Sequence, residues 1–416
     1  MNILILYYLP PVFDRSTIRE HLESFRRYSN RQCHYLNVFY GVPGYIGEIY
    51  FDLIVFHYTF FAYFDDLSKK DIELLKELKG YKVAIPQDEM GLTDRLNRFF
   101  HDYGVSTVYT CFKQNEWQHI YPRQLSGLQN YFTVFTGYVD EIAAEKQSRC
   151  NLKHANRPID VGYRARKVPY WVGRFGLLKW QLTEKFIDAL KSSNIRYDLS
   201  NDERDVFYGN SWYRFLSSCR VVLGCESGAS LHDPDGSIRA RVDKYVNEHP
   251  GIDFDEVERA CFPGLDNSID LTSPSPRHFE ACITKTCQAL VEGEYGGIFK
   301  PGVHYIEIKK DWSNLPEVIE QVKDVEYCER IAERAYKDIV ETKLYTYRKF
   351  VDQIVTQANS EDHDDMKMRL YGTKQLTQLK NREKCPYAYA IIPTLIYIAK
   401  EITGRTLIKL NLYSRK

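Results

Sequence analysis

The sequence predicts an α/β fold: two Rossmann-like domains facing each other across a cleft, with a basic C-terminal appendage. Three observations carry that prediction. Short apolar runs alternate with helical patterns from the first residues to about position 343. A polar stretch at 140–157 interrupts the alternation once. The chain's 416 residues also exceed what one hydrophobic core usually serves.

In the first half, apolar runs at 3–8, 34–39, 52–58, 81–86, 105–110 and 131–136 have the length and the β-branched or aromatic content of strands. Helical patterns fill the gaps at 16–28, 68–78 and 91–103. Strand and helix in alternation imply a mostly parallel sheet with right-handed crossovers. After the polar stretch a second set begins, with strands expected at 159–163, 195–199, 219–224, 287–291 and 304–308. Helices are expected at 178–193, 209–217, 237–248, 253–260, 276–284 and 314–343, the last broken near Asp324. The expected boundaries are a domain at 1–140, a linker at 141–157, a second domain at 158–325, a helical segment at 326–356 and a tail at 357–416.

Composition narrows the class. Hydrophobic content of 44% and charged content of 27% fit a soluble globular chain. No apolar run reaches the ~20 residues of a membrane span, and the start lacks a basic leader region, so a cytoplasmic location is expected. The ten cysteines form no Cys-x-x-Cys pair, which speaks against structural zinc and a disulfide framework. Zero net charge hides an asymmetry: residues 366–416 hold eleven Lys/Arg and two acids, a net +9, which leaves −9 on the rest. The body therefore carries no nucleic-acid signature, whereas the tail, with its apolar stretch Pro386–Ala399, suits a peripheral contact with anionic lipid. The second domain lacks a G-x-G-x-x-G after its first strand, against a nicotinamide or flavin enzyme, and no cofactor is expected.

The most informative stretch is Ser273-Pro-Ser-Pro-Arg-His-Phe-Glu-Ala281. Ser275 is a favoured N-cap and Pro276 a favoured first helical residue. The free N–H groups beyond them, with the helix dipole behind, suit a phosphate. Arg277 adds a bidentate donor, Glu280 could accept from ribose hydroxyls, and His278 joins the catalytic candidates. A strand and a Gly-rich loop follow, with Glu292 at the strand's end.

Two other segments carry chemistry. Gly162-Tyr-Arg164-Ala-Arg166 ends the second domain's first strand and offers a close backbone approach and two cations. Cys225-Glu226-Ser227-Gly228-Ala-Ser230-Leu-His-Asp233-Pro-Asp235-Gly236 follows a buried strand with four ionisable groups, where α/β enzymes keep catalytic carboxylates. Glu226, Asp233 and Asp235 are the catalytic candidates there; Ser227, Gly228 and Ser230 are donor-side ones. Asp-x-Asp can hold a metal, but in a one-domain architecture, so no metal is expected here. In the first domain, His57, Asp88 and Glu89 stand at strand ends where an acceptor would lie.

The Phe279-Glu280-Ala281 helix start, with the strand and Gly-rich loop that follow, resembles the donor-binding region of GT-B glycosyltransferases. The wider pattern is also similar to bacterial surface-polysaccharide transferases, loosely to retaining β-Kdo transferases. The resemblance implies a nucleotide-sugar donor (CMP-, UDP- or GDP-linked) on residues 158–325 and a glycan or lipid-linked acceptor on 1–140. An inactive sugar-nucleotide-binding scaffold, or an epimerase or hydrolase of the same donor, would share the donor site.

Overall fold

The computed structural model describes residues 1–10, 16–62, 64–149, 152–361 and 372–384. The first domain is a six-stranded sheet of β1 (Asn2–Tyr7), β2 (Gln32–Asn37), β3 (Tyr50–Phe56), β4 (Lys79–Ala84), β5 (Thr107–Thr110) and β6 (Asn130–Thr133), in the order β2-β1-β3-β4-β5-β6. All its pairings are parallel. Helices α1 (Ser16–Tyr28), α2 (Tyr58–Ala62), α3 (Lys69–Lys76), α4 (Thr93–Tyr103), α5 (Trp117–Ile120) and α6 (Arg123–Ser126) connect the strands. All six expected strands form, and the three expected helices appear as α1, α3 and α4.

Each strand feeds two cores, because successive side chains point to opposite faces. Ile3, Ile5, Leu53 and Val55 join α1 on one face; Leu4, Leu6, Ile54 and Phe56 join Phe60, Phe99 and Phe100 on the other. That double burial explains why the strands read as continuous apolar runs rather than alternating ones.

Helix α7 (Glu141–Ser148) occupies the expected linker. The second sheet comprises β7 (Ile159–Arg164), β8 (Tyr197–Ser200), β9 (Cys219–Gly224), β12 (Cys287–Val291) and β13 (Ile306–Ile308), in the order β13-β12-β9-β7-β8 and again parallel throughout. A two-stranded antiparallel pair, β10 (Ser227–Ala229) with β11 (Leu271–Ser273), stands apart from it. Around them lie α8 (Arg174–Leu190), α9 (Asn210–Ser218), α10 (Ser237–Glu248), α11 (Phe254–Cys261), α12 (Pro276–Ile283), α13 (Leu315–Lys323) and α14 (Val325–Ala335). The expected break at Asp324 is a cap: its side chain accepts from the Tyr327 N–H and starts α14.

Arg157, at the end of the expected linker, is 1% exposed. Its guanidinium donates to the carbonyls of Cys219, Thr284 and Lys285 and to the Thr286 hydroxyl, tying β9 to the α12–β12 turn.

The helical end of the chain divides between the domains. α14 packs into the second core through Cys328, Ile331 and Ala332. α15 (Tyr347–Ser360) returns to the first, where Phe350, Val351 and Ile354 sit against Ile3, Leu22 and Phe25. Each such side chain contributes roughly 1.5–3 kcal/mol on burial, so the return is a permanent part of the first domain. The basic tail was expected as a separate appendage, yet its described part, α16 (Thr373–Lys384), lies on β2. Leu379 is 1% exposed, Arg382 donates to the Gly41 carbonyl at 2.8 Å, and Glu383 pairs with Arg26. The remainder of the expected membrane-contacting stretch, 366–371 and 385–416, lies outside the described residues. No described helix is long and apolar enough to cross a membrane.

Candidate functional site

Both sheets place their second strand on one side of the first and their third on the other, so the winding of the strand order reverses between β1 and β3 and between β7 and β9. Crevices at the carboxyl ends of such switch points are where ligands bind in open α/β sheets. At the second switch point lie Arg164–Lys167 after β7 and Cys225–Glu226 after β9. Tyr7–Leu9 and His57 occupy the first.

Cations gather at the second switch point. Arg277, first turn of α12, donates from Nη1 to the Arg164 carbonyl at 2.8 Å and stands near the rings of Tyr163 and Trp212. Lys179, on α8, is half-buried and has no hydrogen-bond or ion-pair partner among the described residues. Burial lowers its pKa, and Arg277 and Arg166 push the same way, while Cys225 and Asp88 act against them. Asp88 belongs to the first domain, so the cluster faces that domain's edge. A desolvated ammonium beside two guanidinium groups, all with donors to spare, is an arrangement that an anion would stabilise.

Lys179 escaped the sequence reading because α8 was expected to begin at 178. The helix starts at Arg174, which puts Lys179 in its second turn. Arg166 is exposed and 3.8 Å from Glu203. Arg164 is engaged within its own sheet: its guanidinium forks onto both Asp198 oxygens at 2.8 Å and donates to the Asp198 and Asp205 carbonyls. A basic residue at a strand end can turn along the sheet edge as well as outward, and here the neighbouring β8 supplies the carboxylate.

Beside the cations opens a cleft of about 660 Å³, lined by Lys113 and Glu116 of the first domain and by Phe175, Glu226, Ser230 and Thr272 of the second. Glu226 is 5% exposed, and its Oε1 accepts the Tyr295 N–H at 2.7 Å. Burial raises its pKa, against the pull of the Tyr295 and Glu294 amides and Lys113. Ser230 also lines the cleft, but its hydroxyl is engaged, donating to Asp266 and accepting from the Phe175 N–H.

Several expected site residues have structural work instead. The Asp233 carboxylate accepts the N–H groups of Ile238 (3.1 Å) and Arg239 (2.8 Å), capping α10. Its backbone bonds across the cleft: its N–H donates to the Met90 carbonyl and its carbonyl accepts from Leu92, both at 2.9 Å. The neighbouring His232 meets Thr93 at 2.8 Å, and the Asp94 N–H reaches the Pro234 carbonyl. Residues 232–234 thus strap the second domain to the first. Asp235 is exposed, and its carboxylate takes the Ser237 N–H.

Gly162 is needed for packing: a Cβ there would lie 2.3 Å from the Cys219 sulfur. Gly228 lets β10 and β11 meet, since a Cβ would come within 1.8 Å of the Leu271 carbonyl oxygen, and Ser227 pairs with Ser273 in the same ladder. Glu292 caps the Lys310 N–H at 3.0 Å.

The α12 start is closed rather than open. Ser275 donates its N–H to His278 Nδ1 at 3.0 Å, so His278 takes the part a Glu or Gln plays in a capping box. His278 is 1% exposed, and burial lowers its pKa to about 3, leaving it neutral and structural. The Pro274 carbonyl accepts from Thr136, and Pro276 lies against Gly137 of the first domain. Glu280, 6% exposed, accepts the Trp212 indole N–H at 2.7 Å.

On the first domain, His57 is fully buried. Its Nδ1 accepts from the Thr59 N–H, so its Nε2 holds the proton and donates to His21 Nδ1 at 2.9 Å. Glu89, 1% exposed, accepts from Thr110, Tyr121 and the Cys111 N–H, and burial lifts its pKa to about 7. Asp88, exposed, is the acceptor-side candidate that looks across the cleft. Among the described residues no His, Cys, Asp and Glu side chains cluster so as to hold a metal.

No family model matches the sequence, and no curated protein does. Solved structures do resemble it. An alpha-glucosyltransferase (AGT) in complex with UDP superposes over 85% of this chain and 99% of its own, with a TM-score of 0.51 at 11% identity. The fold is GT-B. The T4 phage beta-glucosyltransferase aligns with 87% of this chain and 100% of its own at 10% identity and TM-score 0.48. TarM of S. aureus aligns with 74% of this chain at 12% identity and TM-score 0.43, and this chain spans 55% of TarM's length. At such identities the likeness concerns architecture, and this chain's chemistry rests on its own residues.

Proposed function

We propose that the protein is a glycosyltransferase that moves a sugar from a nucleotide-sugar donor to a glycan or lipid-linked acceptor. The observation that carries the reading is the convergence of Lys179 and Arg277, with unfilled donor capacity, at the switch point of the second sheet beside an open cleft. A donor diphosphate would fill that capacity, its departing charge stabilised by fixed cations in a partly desolvated site. The adjoining cleft would take the sugar, and the edge of the first domain carrying Asp88 would present the acceptor. The AGT complex holds UDP, which makes uridine nucleotides the first donors to test.

The experiment is a thermal-shift panel of nucleosides, nucleoside diphosphates and nucleotide sugars, followed by product analysis with and without acceptor glycans. A true donor at a hundred times its dissociation constant adds about 2.7 kcal/mol of stability. Binding with transfer supports the reading. Release of free sugar with no transfer to any acceptor would make the protein a donor hydrolase, and binding without turnover a scaffold. A panel with no shift at all would remove the nucleotide-sugar reading.

A further inference from the structure

Fixed charge on the cleft wall speaks to the class of sugar. Its buried ionisable group is Glu226, whose carboxylate is held by the Tyr295 N–H at 2.7 Å. Two of the three cations that line the cleft are already committed. Lys113 bridges Asp270 at 2.6 Å and Glu294 at 2.8 Å. Arg174 is shared among Asp255 (2.7 Å), Glu258 (2.8 Å) and Asp266 (3.6 Å). Lys310 stands exposed at the rim. Beyond these, the wall offers the neutral polar groups of Gln181, Asn267, Ser268 and Thr272 and the apolar Phe175 and Leu178, with Asp270 and Glu294 paired to Lys113. A carboxylate entering this space would face Glu226 without a free buried cation to offset it; a hydroxyl would find acceptors.

We infer that the cleft selects an uncharged, hydroxyl-bearing sugar and excludes sugars carrying a carboxylate, with Glu226 as the residue that discriminates. The inference rests on the donor reading above. It also separates the protein from transferases of acidic sugars such as Kdo, the family its sequence loosely resembles. The physical basis is asymmetric. Two like charges brought together in a partly desolvated space cost several times what they would in water, whereas a hydroxyl donating to Glu226 replaces a water at little cost. The phosphate cluster at Lys179 and Arg277 is blind to this difference within a matched pair such as UDP-glucose and UDP-glucuronate, which present the same diphosphate.

Matched donors that differ only at the sugar C6 test it. Calorimetric titration of the full chain would compare UDP, UDP-glucose and UDP-glucuronate, with GDP, GDP-mannose and GDP-mannuronate in parallel. The expected result is at least tenfold tighter binding of the neutral sugar within whichever pair binds. In Glu226→Gln that ratio should shrink below about threefold, while affinity for the bare nucleotide stays unchanged. Equal or tighter binding of the uronate by the native chain overturns the inference and leaves the donor reading standing. So does a ratio that persists in Glu226→Gln. Should that variant fail to fold, the native comparison alone decides. If neither nucleotide binds with or without its sugar, the donor reading falls and the inference falls with it.

Discussion

The two sheet edges that face each other are built from the same strand order yet treat their ionisable residues in opposite ways. On the first domain, His57 and Glu89 are buried at strand ends with every close partner supplied by their own domain. On the second, Lys179 and Arg277 hold donors that no other described residue takes up. A buried polar group that is fully satisfied stabilises its loop and has no capacity left for a ligand. One left unsatisfied costs stability until something binds. The spare hydrogen-bonding capacity of these residues therefore lies on the second domain, although both edges present charged residues in the sequence.

The strongest test of that division is Lys179→Met, which preserves the stem and removes the charge. Affinity for a nucleoside diphosphate should fall by about 1.5–3 kcal/mol, the range of a charge-assisted hydrogen bond, with the nucleoside unaffected. Isothermal titration of both ligands measures it. An equal loss for the nucleoside would show that Lys179 supports the fold, and the contrast between the edges would disappear.

A second test concerns Glu89. Its pKa is raised from 4.5 to about 7 in the folded chain, so between those values the folded state keeps a proton that the unfolded state has lost. The stability it contributes is present at low pH and lost as pH rises toward 7. Glu89→Gln, neutral throughout, should gain on the native chain by roughly 2 kcal/mol between pH 5 and 6.5, at about 1.36 kcal/mol per unit. Urea unfolding of both proteins at the two pH values checks the difference. A constant gap would mean that Glu89 does not titrate there and that this edge is less buried than its geometry implies.

The smallest effect is expected at Asp233→Asn. One carboxylate oxygen is lost from the α10 cap, costing below about 1 kcal/mol in thermal stability and leaving turnover within a few-fold of native. A collapse of turnover by orders of magnitude, with stability intact, would restore Asp233 as a catalytic residue and move part of the chemistry onto the strap.

Many of the sequence's candidate site residues find partners inside the protein, for one recurring reason. Residue type announces that a group can take or give a hydrogen bond, but the competitor for that bond is set by parts of the chain far away. Arg164 is taken by Asp198 of the neighbouring strand; Glu280 by the indole of Trp212, 68 residues earlier. Lys179 falls at the start of a helix expected over 178–193, whereas α8 begins at Arg174 and runs through Gly176, where a Cβ would lie 2.9 Å from Val168 and Val172. There the glycine buys close packing of helix on loop, and the helix runs straight through it.

What the sequence determined by itself is the periodic part of the molecule. Apolar runs of strand length, helical patterns between them and caps such as Asp324 specify two parallel α/β sheets, because backbone hydrogen bonding and burial depend on near neighbours and on period. The tertiary structure alone decided which charges remain free. It sent α15 back to the first domain, laid α16 on β2, strapped residues 232–234 to 90–94 and closed the α12 start against Gly137. Those contacts join residues whose separation in the chain carries no periodic signal, and they leave Glu226 on the cleft wall with Lys179 and Arg277 beside it.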